Sequence, residues 1–498
     1  PPKRQVDPNE PAWLPNPSPR AIPRLSQSLR PTPTGNSQAT VAPHTNVLTT
    51  TLQVLMPSLT PDPAIDVTSY QRTTAQELAT SKRPPRNKQM LVRDYVDDSL
   101  YNPHYGYFSQ HAAIYTPPEP VDLTQVHDSL EFMNLVADRY REIEQGVDAD
   151  ASAAANRPPA KQVWHTPTEL FNPWFGQAIA KYIVTEYKLN HYPEDDLVIY
   201  ELGAGNGTLM LNIMDYLQQH EPIVYARTQY RVIEISTQLS ERQADNQASR
   251  NFTAIHRGIQ VINRSIFDWN TVVPNPCFFI AMEVIDNFAH DLVRYDPLTE
   301  KPYQGTVLTD RHGDFTEAFE PLTDPLIQRY LRLRQQVGYQ TPLLRPTAKL
   351  WHRVRQRLPF PPNLTEPEFI PTRSLQLLDT LGKYFPRHRL VLSDFYSLPE
   401  AVPGIDGPVV QTRYKHTMVP CSTYMVQPGW FDIFFPTNFE LLRDIYRTVC
   451  QPYFSRGQAK VLTQRDFLER YGDVENTTTR SGENPLLEYY ENNKFLLS

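Results

Sequence analysis

Residues 198–208 read Val-Ile-Tyr-Glu-Leu-Gly-Ala-Gly-Asn-Gly-Thr, and no other stretch limits the architecture of this chain as tightly. A short apolar run ends in an acid, Glu201, and passes into Gly203, Gly205 and Gly207, spaced G-x-G-x-G. Leu209, Ile213, Met214 and Leu217 follow at helical spacing. The pattern predicts a strand, a tight turn and a helix. Glycine is needed where a backbone turns sharply and lets a ligand approach, because a Cβ would collide. The helix N-terminus then offers its first N–H groups to a polar ligand. The dinucleotide fingerprint G-x-G-x-x-G is not met, since Gly207 comes one residue early.

A second strand-like run, Arg231-Val-Ile-Glu-Ile-Ser236, carries Glu234 near its end. An acid there can accept hydrogen bonds from both hydroxyls of a ribose. An acid before G-x-G-x-G and a second acid one strand later together point to S-adenosyl-L-methionine as cofactor. The competing reading is a glycine turn in some other α/β sheet, with Glu234 a solvated strand end.

Composition narrows the class. The net charge of −7 argues against a surface that binds nucleic acid throughout. No run of about 18 apolar residues is present, so no membrane-spanning helix is expected. Three widely spaced cysteines, Cys277, Cys421 and Cys450, exclude a disulfide framework and a cysteine zinc site, and no metal is expected. The sequence opens on Pro1, read here as the result of processing or truncation.

Five regions are expected. Residues 1–66 form an extended, proline-rich tail, with ten prolines in the first 35 positions and too little apolar surface to fold alone. Residues 67–161 hold helices over 87–100 and 124–144, separated by the aromatic turn Tyr101–Phe108, and end in a linker from Asp148 to Lys161. Residues 162–296 form the cofactor-binding core. A helix capped by Thr168 or Asn172, with Pro173 in its first turn, leads into strands at 197–202, 230–235, 259–263 and 277–282. Residues 297–386 form a helical, basic insertion with helices near 324–336, 347–357 and 372–384. Residues 387–498 complete the fold with strands at 389–394 and 423–426 and a helix from about 437 to 450. Alternating strands and helices predict an α/β fold with a parallel, Rossmann-like sheet of the class I methyltransferase type.

Taken in order, the motifs resemble those of the MidA family over roughly residues 88–498. Asn102-Pro-His-Tyr-Gly-Tyr-Phe108 is similar to the family's N-P-x-x-G-Y-Y turn. Thr166-Pro-Thr-Glu169 followed by Phe175-Gly176 resembles its T-x-P-E-I-x-x-x-F-G segment, and Glu201–Thr208 its E-L-G-P-G-x-G-T, with Ala204 in place of proline. Asp394-Phe-Tyr396 stands for D-Y-G, Arg413-Tyr-Lys-His416 loosely for R-x-Y-x-x-H, and Pro428-Gly-Trp-Phe-Asp-Ile433 for P-G-x-x-D-I-T. The departures fall on the acceptor side. N-E-x-x-D-A-L-P becomes Met282-Glu-Val-Ile-Asp-Asn-Phe-Ala289, which keeps Glu283 and Asp286 but loses the asparagine and the A-L-P turn. Asp432-Ile-Phe-Phe-Pro-Thr-Asn-Phe439 loses the family's threonine and histidine. The resemblance implies an S-adenosyl-L-methionine-dependent methyltransferase whose mitochondrial members methylate an arginine on a core subunit of respiratory complex I during assembly.

Arginine is a poor nucleophile because its guanidinium stays protonated, so carboxylates must hold it and take a proton as the new bond forms. Glu283 and Asp286, i and i+3 past a strand end, are the expected catalytic pair; otherwise Asp286 caps a helix and Glu283 is solvated. Glu201, Gly203, Gly205, Gly207 and Glu234 are expected to bind the cofactor. Thr166 and Glu169 close over its methionine end or simply cap a helix, and Asp268 reaches the adenine, with Trp269 stacking on it or lying in the core. A basic block holds Arg329, Arg332, Arg334, Arg345, Lys349, Arg353, Arg355 and Arg357, and residues 327–359 contain no acid. It can neutralise RNA phosphates, form a solvated helical face, or meet an acidic protein. The chief alternative function is a catalytically inactive member that serves as a structural or assembly component of a mitochondrial complex, either the ribosome or a complex I intermediate. Placement in the mitochondrial matrix follows from the resemblance alone.

Overall fold

A computed structural model describes residues 67–498, apart from 111, 115–116, 118, 153–161, 235–255, 349, 351–362, 400, 403, 415–416 and 451–458. The proline-rich segment 1–66 therefore lies outside the described residues.

Among the described residues the central sheet has seven strands: β1 Leu197–Leu202, β2 Thr228–Glu234, β3 Ile259–Asn263, β4 Cys277–Met282, β5 His388–Phe395, β6 Lys460–Thr463 and β7 Asn493–Leu497. Their spatial order is β3-β2-β1-β4-β5-β7-β6. The five strands from β3 to β5 run parallel, and β7 is antiparallel to both β5 and β6. Every residue of β1 is buried, as expected of a strand covered on both faces, and this explains its unbroken apolar run. On one face lie α1 Trp174–Asn190, α2 Thr208–His220 and, later in the chain, Gln464–Tyr471. Phe175, Ile179, Tyr182 and Ile183 of α1 share one helical stripe and are all buried there. On the other face lie α3 Thr372–Tyr384, α4 Phe439–Cys450 and the segment Pro325–Gln336. Open α/β sheets place their ligand crevice at the carboxyl ends of the strands, where the order reverses. Here that point lies between β1 and β4.

A second sheet of six strands carries its own apolar core. The two-residue strand Gln71–Arg72 pairs with Lys88–Leu91, which pairs with Pro302–Thr309, and Asp291–Tyr295 and Glu368–Ile370 extend the row. Phe315–Pro321 returns along Pro302–Thr309 as a hairpin.

This sheet accounts for several departures from the sequence reading. Residues 88–91 are strand, not helix, because they pair with Thr306–Thr309, and the helix begins only at Val92. The region 297–386 is not purely helical, since it supplies the hairpin and the strand Glu368–Ile370. Its helices at 325–336 and 372–384 are present, whereas most of 347–357 lies outside the described residues. Residues 423–426 form no strand; Tyr424 and Val426 are buried in the second core, and the strands fall earlier, at Val409–Tyr414 and Thr417–Cys421. The helix expected over 124–144 runs from Ser129 to Ser152, into the expected linker. Pro173 precedes α1 as its N-cap, and Asn172 accepts a hydrogen bond from Asn212 Nδ2 (2.9 Å) instead of capping.

Candidate active site

The turn from β1 to α2 lies at the carboxyl edge of the central sheet. Gly203, Gly205 and Gly207 all have positive φ, at 69°, 54° and 82°. A Cβ on Gly205 would stand 2.6 Å from Ile114 Cδ1, and one on Gly203 would stand 3.3 Å from Val284 Cγ2. The spacing is therefore demanded both by backbone conformation and by what lies over the turn. Gly207 is the N-cap of α2, so the first amides of that helix face the turn. The short strand Ala112–Ile114, paired with Gln162–Trp164, passes above it.

Thr166 and Glu169 meet at the same place. Thr166 Oγ1 accepts from the Glu169 amide at 3.3 Å and caps the helical turn Pro167–Leu170. The buried Glu169 carboxylate accepts from Thr208 Oγ1 at 2.8 Å and from Asn206 Nδ2 at 3.3 Å. One pair of residues thus both caps a helix and clasps the glycine turn. Glu234 is buried at the end of β2. Glu201 is buried as well and accepts from Tyr230 OH at 2.7 Å; burial pushes its carboxyl up to about 7. Asp268 is exposed in the turn Ile266–Asp268 that follows β3. Trp269 beside it belongs to the core, edge-on to Tyr200, with its Nε1 donating to the Thr271 carbonyl. A cradle with no room for a Cβ at Gly205, flanked by buried acids on β1 and β2, fits S-adenosyl-L-methionine.

Past β4, Glu283 is half-buried and holds a left-handed backbone, φ 52°. Asp286 is buried three residues on, in a turn with no helix to cap, and its Oδ1 accepts from the Asn287 amide at 2.8 Å. Two further carboxylates close in. Asp394, fully buried at the end of β5, accepts at Oδ2 from the amides of Val284, Ile285 and Asp286 at 3.1, 2.9 and 3.1 Å. Asp432 accepts from Asn287 Nδ2 at 2.9 Å. Burial, then Asp394 and Glu169, raise the Glu283 carboxyl well above the usual carboxylate range. Burial, then Asp394, Asp432 and Glu283, do the same to Asp286. Burial pushes Asp432 up to about 7. These acids therefore hold protons more tightly than free carboxyls do, as is common where proton-transfer groups gather.

Aromatic and imidazole groups border the acids. Tyr101 OH donates to the Asn287 carbonyl at 3.2 Å. Tyr490, next to Glu283, places its hydroxyl 2.7 Å from His165 Nδ1. Burial drives His165 down to about 4, so its ring is neutral. Sequence reasoning had assigned no role to Asp394, Asp432, Tyr490 or His165. The first two stand inside motifs already singled out, whereas no local pattern marks the others.

The basic block disperses. Arg334 is buried and donates to Glu368 at 2.6 Å and to Tyr295 OH at 2.8 Å, so it is not available to phosphate. Arg329 is paired with Asp379. Arg332 and Arg345 are exposed, while Lys349, Arg353, Arg355 and Arg357 lie outside the described residues.

Comparison with known proteins agrees with this geometry. A family described as S-adenosyl-L-methionine-dependent methyltransferases matches residues 178–455, more than half of the chain. A mitochondrial protein arginine methyltransferase, the NDUFAF7 homologue of Schizosaccharomyces pombe, is 24% identical over 374 residues, covering 72% of this chain and 76% of its own. The corresponding protein of Saccharomyces cerevisiae is 22% identical over 345 residues, covering 64% of this chain and 77% of its own. A crystal structure of a protein from Burkholderia thailandensis, bound to S-adenosyl-homocysteine, shares the fold with a TM-score of 0.50 at 14% identity, over 85% of this chain and 89% of that one.

Proposed function

Because the chain belongs to that family of S-adenosyl-L-methionine-dependent methyltransferases, we propose that its methyl acceptor is an arginine side chain of a mitochondrial protein. The observation that carries this reading is the acidic floor beside the glycine turn, where Glu283, Asp286 and Asp432 gather at the carboxyl ends of the strands. A guanidinium keeps its proton above pH 12, and it becomes nucleophilic only as a base removes that proton. Bound S-adenosyl-L-methionine supplies an electrophilic methyl group whose departure leaves a neutral thioether. Glu283 and Asp286 hold the guanidinium, orient one nitrogen, and take up the proton that nitrogen sheds as its bond to carbon forms. Their raised proton affinity suits them to that transfer.

The other assignments extend this reading to the cofactor. The turn Gly203–Gly207 lies under the cofactor's sulfonium half, Glu234 takes the ribose hydroxyls, and Glu169, held by Thr166, faces the methionine end. Glu201, fixed by Tyr230 at the end of β1, is the acid on the cofactor's side of the turn, and Asp268 stands on the adenine side. Names of the curated relatives support a mitochondrial location, which we extend to the matrix. The MidA resemblance supports a respiratory complex I subunit as the acceptor during assembly.

The test is transfer of labelled methyl groups to mitochondrial protein, comparing the natural chain with Glu283→Gln. The expected outcome is label on arginine, lost by at least about a hundredfold in the variant, with affinity for S-adenosyl-homocysteine kept within about threefold. Undiminished transfer by Glu283→Gln, or label on another residue type, defeats the reading. No label despite intact cofactor affinity would favour the assembly role.

A further inference from the structure

Glu283 holds a conformation its own sequence does not favour. Left-handed backbone is uncommon for a residue with an unbranched acidic side chain, because its Cβ crowds the following carbonyl. Such a conformation persists only where the surroundings over-determine it. Two contacts do so, and both come from β5. The Glu283 amide donates to the Ser393 carbonyl at 2.9 Å. The next three amides, of Val284, Ile285 and Asp286, all converge on the single oxygen Oδ2 of Asp394. The other oxygen of that carboxylate accepts from the Phe395 amide at 2.8 Å. Successive N–H groups converging on one negative charge make an anion nest, and here the anion is the protein's own side chain. Asp394 is wholly buried, so solvent does not compete for these amides.

The consequence reaches past the loop. A turn wrapped around a carboxylate on the next strand fixes where its first residue points. That first residue is Glu283. Burial pushes the Asp394 carboxyl up to about 7 against the pull of its four amides, and in its ionised form it stands against Glu283 and Asp286 as a like-charge neighbour.

We propose that Asp394 is the positioning residue of this site: its carboxylate templates the 283–286 turn and thereby aims the Glu283 carboxylate at the methyl acceptor. The proposal rests on the role given to Glu283 above. Asp394 itself touches neither acceptor nor cofactor and acts only through Glu283.

Infrared difference titration reads this without any acceptor. Subtracting Glu283→Gln from the natural protein, both bound to S-adenosyl-homocysteine, isolates the protonated carboxyl band of Glu283. Repeating the subtraction in the Asp394→Asn background gives the effect of Asp394. Loss of the neighbouring charge favours ionised Glu283, so its midpoint falls by about one pH unit or more. Methyl transfer drops by at least about thirtyfold, and S-adenosyl-homocysteine affinity stays within about threefold. A Glu283 midpoint and a transfer rate both unchanged in a cofactor-binding Asp394→Asn protein overturn the proposal. If Asp394→Asn does not fold, Asp394→Glu decides, because it keeps the charge and displaces the carboxylate by one methylene. A displaced Glu283 midpoint with slowed transfer supports the proposal, and natural values for both overturn it. Full transfer by Glu283→Gln alone would instead defeat the reading of Glu283.

Discussion

Gly205 shows how one missing atom shapes the site. Its left-handed φ of 54° and the 2.6 Å gap to Ile114 Cδ1 leave a side chain neither a comfortable backbone nor a place to go. Gly205→Ala should cost about 1–2 kcal/mol of stability from backbone strain. It should also weaken S-adenosyl-homocysteine binding by at least about tenfold, since the strained turn shifts and the Ile114 side chain above it must turn aside. Calorimetry with that ligand checks this. At Asp432 the prediction concerns pH. Burial raises its carboxyl in the folded protein to about 7, against an ordinary value near 4 in the unfolded chain. The folded state therefore binds the proton more tightly. Stability from this group is complete below about pH 4 and declines as pH rises towards 7. Asp432→Asn should match the natural protein near pH 4 and exceed it in stability by roughly 2 kcal/mol near pH 8, allowing for relief by neighbouring acids. Melting temperatures measured at both pH values test the sign.

At the scale of elements, a buried ion pair ties the segment Val92–Tyr101 to the second sheet. Arg93 donates to Asp291 at 2.5 Å and to Asp324 at 2.8 Å, and the Asp291 side chain is fully buried. Removing the cation strands a buried carboxylate, so Arg93→Ala should destabilise by about 3–5 kcal/mol, seen as a lower urea midpoint. Packing of Gln464–Tyr471 offers a second check. Phe467 stacks on Phe495 with ring centroids 4.1 Å apart, and Phe467→Ala should cost about 3–4 kcal/mol. What the sequence revealed divides along similar lines. Strands buried on both faces announce themselves as apolar runs, so β1 and β4 were read to the residue and β2 and β5 within two residues at either end, while the half-exposed edge strand β3 was legible from the alternation of Ile259, Val261 and Ile262 with polar neighbours. Lys88–Leu91 was not legible because four residues become a strand only through a distant partner. The glycine turn and the pair Glu283 and Asp286 could be seen locally. Asp394's hold on residues 284–286 could not, since it joins two strands about a hundred positions apart.

For the whole molecule, the two sheets share one chain in an interleaved order. Residues 71–91 enter the second sheet, 197–282 build most of the first, and 291–370 return to the second. A chain starting at residue 111 would lack Tyr95, Val96 and Leu100, all buried in the second core. It should leave the hairpin 302–321 open to protease while the natural chain resists, as limited proteolysis followed by mass spectrometry would reveal. The pairing of Gln89 with Thr306 spans 217 positions. During synthesis from the N-terminus, Lys88–Leu91 must therefore wait as an unsatisfied edge while more than two hundred further residues emerge, including nearly all of the parallel strands. Long waits of this kind slow folding and expose sticky edges to other chains. Lys88–Leu91 is covered only once Thr306–Thr309 has been made, so co-expression of a nascent-chain holdase should raise the soluble yield of this chain.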